Sequence, residues 1–128
     1  MNTTCKIALS LLAGAALGGA AVQGLHAQVK PKAYIVTESE IINADALKVY
    51  MPKAQAAIRA AGGRSLAPAT TNAVALVGEP PKRVGISEWE NLEQAKTWRS
   101  SAAWKELSPE RDKAQKQIRS YAIEGAAN

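Results

Sequence analysis

The chain has 128 residues and a formal charge of +5, enough for one domain and little more. Its 16 basic and 11 acidic side chains are interspersed, with no basic stripe carrying aromatic platforms, so nucleic acid is not expected as a partner. Cys5 is the single cysteine and His26 the single histidine, which leaves everything after residue 26 without a thiol or an imidazole.

Met1–Lys6 is a short polar start carrying Lys6, and Ile7–Val22 is apolar or small throughout. That run falls short of the roughly 20 residues a helix needs to cross a bilayer. Gln23–Ala27 then turns polar and small, the pattern of a cleavable signal peptide over residues 1–27, with residues 28–128 as the mature domain. Leu25 departs from the preferred small residue at its position, which makes a site near Ala21 the second choice. The expectation is a periplasmic or secreted protein with no stable membrane insertion after cleavage. A mature domain of this size buries roughly 60–70% of its unfolded surface, enough for one core without metals or disulfides.

Gln28–Lys32 is a lead-in containing Pro31, and Ala33–Glu40 alternates as a strand does. Asn43 is placed to cap a helix whose apolar positions run Leu47, Tyr50, Met51, Ala54, Ala57, Ile58 and Ala61. Pro52 lies inside it and predicts a kink; Gly62-Gly63 closes it. Arg64–Ala67 reads as a short strand, Pro68–Asn72 as a turn, and Ala73–Glu79 as a further extended piece before Pro80-Pro81. Lys82–Trp89 alternates clearly, with Arg83, Gly85, Ser87 and Trp89 on one face and Val84, Ile86 and Glu88 on the other. Asn91 and Gln94 form a capping-box-like pair opening a helix with Leu92, Ala95 and Trp98 along its stripe. Ser100-Ser101 interrupts it before Ala102–Leu107, and Ser108-Pro109-Glu110 restarts it with serine as the N-cap. Ile118–Glu124 is the last strand and Gly125–Asn128 a tail.

Strand, helix, strand, strand, segmented helix, strand is the α+β ferredoxin-like order βαββαβ, an antiparallel sheet with helices on one face. Tyr34, Val36, Trp89, Tyr121 and Ile123 are expected on the other face, too apolar to leave in water. The same face of a second copy is the natural cover, giving a homodimer.

Several pieces, taken in order, resemble a known family. They are Ala33-Tyr34-Ile35-Val36, Tyr50-Met51-Pro52, Ala61-Gly62-Gly63-Arg64 and Gly78-Glu79-Pro80-Pro81-Lys82-Arg83, then Ser87-Glu88-Trp89, Ala95-Lys96-Thr97-Trp98, Trp104 and Arg111. From about Ala33 to Gly125 the chain resembles the 1330 family of domains of unknown function, in the dimeric α/β-barrel superfamily. The resemblance implies a homodimer with facing sheets and implies no reaction. Trp89 stands where the family usually has Phe, and Arg99 where it often has Tyr; the Pro68–Asn72 loop lacks the usual glycine pair.

With no histidine or cysteine after Ala27, a haem-iron ligand, a zinc set and Ser–His or Cys–His nucleophiles are excluded, so neither metal nor cofactor is expected. Arg64, Glu79 and Arg83 fall near the ends of neighbouring extended segments, with Arg111 approaching from the second helix. One reading is an anion pocket with Glu79 as general base; the other is an ion pair of Glu79 with an arginine that holds the turn. Tyr34, Trp89 and Tyr121 either line a ligand cavity between the sheets or form the core of the dimer interface, and Tyr50 either aims its hydroxyl into a pocket mouth or packs its ring. Three functions stay open: a dimer binding a small anionic or aromatic ligand between its sheets, a cofactor-independent monooxygenase- or isomerase-like enzyme using Glu79 or Tyr50, and a structural dimer.

Overall fold

The computed structural model describes residues 30–127; the expected leader, residues 1–27, lies outside them. β1 (Ala33–Ile41), α1 (Ala44–Ala60), β2 (Arg64–Thr70), β3 (Val84–Trp89), α2 (Leu92–Ser100), α3 (Ala102–Glu106), α4 (Ser108–Ala114) and β4 (Gln115–Glu124) follow in order. The four strands form one sheet, β2-β3-β1-β4, with every neighbouring pair antiparallel. This is the ferredoxin-like α+β fold.

The helix signals act largely as their chemistry requires. Asn43 Oδ1 accepts from the amides of Asp45 and Ala46, both at 3.0 Å, and α1 then runs as one helix through the exposed Pro52. Gly62 ends it at φ 87°, a conformation that glycine reaches without Cβ strain. At α2, Asn91 accepts from the Gln94 amide at 2.9 Å while the Gln94 side chain reaches back to the Glu90 amide at 2.8 Å. Ser101 makes the interruption: its hydroxyl donates to the Trp98 carbonyl at 2.7 Å and accepts from the Trp104 amide at 3.2 Å, so it ends α2 and starts α3.

Three local expectations are corrected. Ser108 is the first residue of α4, behind Leu107 as N-cap, and its hydroxyl accepts from Arg111 Nη2 at 2.8 Å instead of capping the helix. The segment from Ala73 to Glu79 joins no ladder: residues 71–83 form one irregular connection, with Val74, Leu76 and Val77 almost fully exposed. β4 begins at Gln115, earlier than its alternation indicates, because a bulge between the Glu38–Arg119 and Ser39–Gln117 pairs breaks the period at Ile118.

The larger correction concerns Trp89. In the register Ala33 lies opposite Trp89, and Tyr34 opposite Glu88 and Ile123. Trp89 therefore shares the helix-side face with Ala33 and Ile35, is 1% exposed, and stacks on Trp98 at 5.7 Å between centroids. It does not belong with Tyr34, Val36, Tyr121 and Ile123. Alternation separates two faces without saying which one is covered. In β3 the face with Val84 and Ile86 is the uncovered one, while Arg83, Gly85 and Ser87 look inward.

The uncovered face is a banded surface. Its middle holds Tyr34, Val36, Tyr121 and Ile123, the last two about half exposed. Arg64 pairs with Glu88 at 3.1 Å towards one end and Arg119 with Glu38 at 2.8 Å towards the other.

Candidate functional site

The core is lopsided along the sheet. Trp89, Ala33, Ile35, Ala95 and Trp98 fill one part of the space under the helices. From the level of Ile35 onward the inward positions of the strands are Thr37 and Ser39 on β1, Ser87 and Gly85 on β3, and Gln117 on β4. Small and polar side chains there cannot reach the helices, and the gap they leave is a cavity of about 90 Å³, partly open to solvent. Tyr50, Met51, Ala54 and Ile58 of α1 close it from above, with Trp98, Arg99 and Trp104 of the segmented helix.

Arg83, just before β3, extends into this space and is 4% exposed. Its Nε donates to the Ala69 carbonyl at 3.1 Å, Nη1 to Ser39 Oγ at 3.1 Å and to Gln115 Oε1, and Nη2 to Met51 Sδ at 2.9 Å. Every acceptor is neutral. Burial pulls its pKa down, partly opposed by the nearby Tyr50 oxygen, but a guanidinium remains charged at neutral pH. A buried cation is normally matched by a carboxylate; among the described residues none bonds to Arg83.

Arg99 adds a second positive charge on the cavity wall. Its guanidinium lies 3.9 Å from the Trp104 ring centroid, and Arg111 stacks on the same ring at 4.5 Å. Burial first, then the Arg111 charge, lowers the Arg99 pKa. Arg111 is tied to Ser108 and to Asp112 at 3.1 Å, and its Nη1 is buried without a partner. Trp104 meets Trp98 edge-on at 5.7 Å, so a chain of three tryptophans runs from core to cavity wall.

Tyr50 lines the cavity at 4% exposure. Burial raises its pKa, against the lowering effects of Arg111, Arg99 and Arg83, so at neutral pH it is a phenol.

Of the residues singled out from the sequence, Arg83 and Tyr50 meet at this cavity, and Arg111 stands behind Trp104. Arg64 is exposed on edge strand β2 and engaged with Glu88; Tyr34 and Tyr121 lie on the uncovered face. Trp89 sits in the core behind Trp98. Glu79 is exposed in the 71–83 connection, and no ion pair links it to an arginine among the described residues, so neither a turn-holding pair nor a base beside Arg83 is formed. The cavity itself lies between sheet and helices of one chain, not on the face expected to meet a second copy. The sequence does not single out Arg99, Trp98 or Trp104 as site residues. The signal that marks the place is the reversed polarity of β3, whose Arg-Gly-Ser side faces inward.

Among the described residues no cluster of three or more His, Cys, Asp or Glu is placed to hold a metal, and no helix is long and apolar enough to cross a membrane. The fold is similar to that of the RPA0582 protein of unknown function from Rhodopseudomonas palustris, a structural genomics target, with a TM-score of 0.59 and 12% identity over 77% of this chain and 85% of that one. The methylated RPA0582 protein matches with the same TM-score and identity, over 83% of its length. No curated protein matches the chain. The model of a domain of unknown function, DUF1330, matches residues 32–126, spanning every strand and helix described above, and the chain belongs to that family.

Proposed function

We propose that this chain is an exported homodimeric protein that binds a small anion in the cavity between its sheet and its helices. The observation that carries the reading is Arg83, a buried cation hydrogen-bonded only to neutral acceptors, with Arg99 as a second cation on the same wall. An anion entering there replaces the missing carboxylate in a site where low polarity strengthens the attraction. A purely structural dimer accounts for Arg83 as a tie between strands but leaves the Arg99 fork without an acceptor, which places that reading last. The enzyme reading rests on Tyr50 alone, a phenol held protonated beside arginines and suited to donating towards a developing oxyanion.

Export rests on the charged start, short apolar run and small-residue end of the first 27 residues. Dimerisation rests on the apolar middle of the uncovered face and its flanking ion pairs.

The test is calorimetric titration of the processed protein with propionate and with neutral acetone at fixed ionic strength. Saturable binding of propionate, absent for acetone and weakened about tenfold or more by Arg99→Gln, supports the anion site. No difference between acid and ketone overturns it. Native mass spectrometry of the same sample reads the cleavage site and the assembly; an unprocessed chain or a monomer overturns the corresponding part.

A further inference from the structure

Among the groups on the cavity wall that bond to no described residue, two are donors of different kinds, a guanidinium and a phenol. Arg83 is largely spent: Ala69, Ser39, Gln115 and Met51 take four of its five N–H groups. Arg99 is not. Its guanidinium is positioned by the Trp104 ring and has no hydrogen-bond acceptor among the described residues. Tyr50 is not either: it is 4% exposed, it lines the cavity, and its hydroxyl has no partner among the described residues. Among the described residues the fully buried side-chain atoms without a partner are Glu110 Oε2 and Arg111 Nη1, so the Tyr50 hydroxyl keeps an opening onto the cavity, where a ligand can accept from it. Burial also keeps it protonated, so it offers a neutral O–H beside a charged fork.

A plain carboxylate satisfies the fork and leaves the phenol as it was. A ligand with a second oxygen beside its carboxyl group satisfies both. Size narrows the choice further: the space is about 90 Å³ and opens to solvent, so it suits a short acid with part of the molecule at the mouth. We infer that the cavity selects short 2-oxo or 2-hydroxy carboxylates, with the carboxylate on Arg99 and the neighbouring oxygen accepting a hydrogen bond from Tyr50. The inference rests on the anion reading above and adds the ligand class and the residue that sets it.

Three probes separate the two claims: pyruvate, propionate, which replaces the keto group by CH2, and acetone, which keeps the keto group and lacks the carboxylate. Each is titrated calorimetrically into the processed wild-type protein and into Tyr50→Phe. The expected result is wild-type binding of pyruvate about tenfold tighter than propionate, with the ratio falling towards one in Tyr50→Phe. Equal binding of the two acids by the wild type overturns the inference and leaves the anion site standing. So does a preference for pyruvate that survives in Tyr50→Phe. Acetone binding as tightly as the acids, or no binding by any of the three, removes the anion site and this inference with it. The wild-type ratio reads the claim even if Tyr50→Phe folds poorly.

Discussion

Arg83 donates from Nε to the carbonyl oxygen of Ala69 at 3.1 Å, and Ala69 sits at φ 54°, on the left-handed side that a Cβ disfavours. The two are linked in register as well as by the hydrogen bond, because β2 slips against β3 between the Ala67–Ile86 and Thr70–Val84 pairs. The slip turns the Ala69 carbonyl to the buried guanidinium. Backbone strain in β2 and an unmatched charge at the start of β3 are thus parts of one arrangement around the cavity.

Ala69→Gly removes the Cβ penalty and leaves the carbonyl in place. The expected effect is a gain in unfolding free energy of up to about 1 kcal/mol, the left-handed penalty less the extra flexibility of glycine in the unfolded chain. Urea denaturation of the two proteins measures it. A loss of stability there would mean that Ala69 relaxes without its tie to Arg83.

Arg83→Lys keeps the charge and loses the fork. One ammonium cannot serve the Ala69 carbonyl, Ser39 and Gln115 from the directions the guanidinium uses, so buried acceptors are left without donors. The expected cost is about 1–3 kcal/mol of stability, seen in the same denaturation experiment. Wild-type stability in this variant would show that charge alone holds the arrangement.

Gly63 illustrates a residue whose role is visible only in three dimensions. A Cβ there would lie 2.7 Å from two ring carbons of Trp89 and 2.9 Å from Ile58 Cγ2. Gly63→Ala is expected to cost about 1–3 kcal/mol through overpacking, measurable as a lower denaturation midpoint. Trp89→Phe, which frees that space, should recover part of the loss in the double variant.

The same pair shows what the sequence discloses. The glycines after Ala61 end α1 as chain-local rules say, because Gly62 has the positive φ; that Gly63 clears room for an indole from β3 is a long-range fact with no local signature. The strand order, the antiparallel sheet and the caps at Asn43 and Asn91 follow from alternation and side-chain length. The site followed only in part. Arg83 and Tyr50 stand out by residue type, but Arg99 is one more arginine on a helix until Trp104 fixes it over the cavity. Trp89 is expected beside Tyr34 and Val36 but lies on the covered face, because alternation separates the two faces of β3 without telling which one the helices cover. Glu79 is expected near Arg83 at the end of an extended segment, whereas the irregular connection carries it into solvent.

The uncovered face gives a second contrast with Trp89. Val36 pairs with Ile86 on one side and Tyr121 on the other, at the middle of the apolar band. Val36→Glu places a carboxylate where two copies of the proposed dimer would meet and is expected to leave a folded monomer, read by native mass spectrometry. Trp89→Ala is expected to cost about 3–5 kcal/mol of stability through the cavity it opens in the core. Dissociation by the second variant without loss of stability would reverse these assignments.

Tyr50 links stability to pH with a definite sign. Its phenol is raised above the ordinary value chiefly by burial, so the neutral form is the one the fold accommodates. Below about pH 10 both folded and unfolded chains keep the proton, and Tyr50 gives no pH dependence. Above that value the unfolded chain releases it while the folded chain holds it, so unfolding is favoured increasingly until the folded phenol ionises too. The slope from this one group is at most about 1.4 kcal/mol per pH unit. Every other group is common to wild type and Tyr50→Phe, so the difference between the two isolates Tyr50. At neutral pH the variant is expected to be as stable as wild type or up to about 1 kcal/mol more so, because the hydroxyl it removes has no partner among the described residues. Above pH 10 the wild type should fall away faster. Parallel alkaline profiles would mean that burial does not hold the proton on Tyr50.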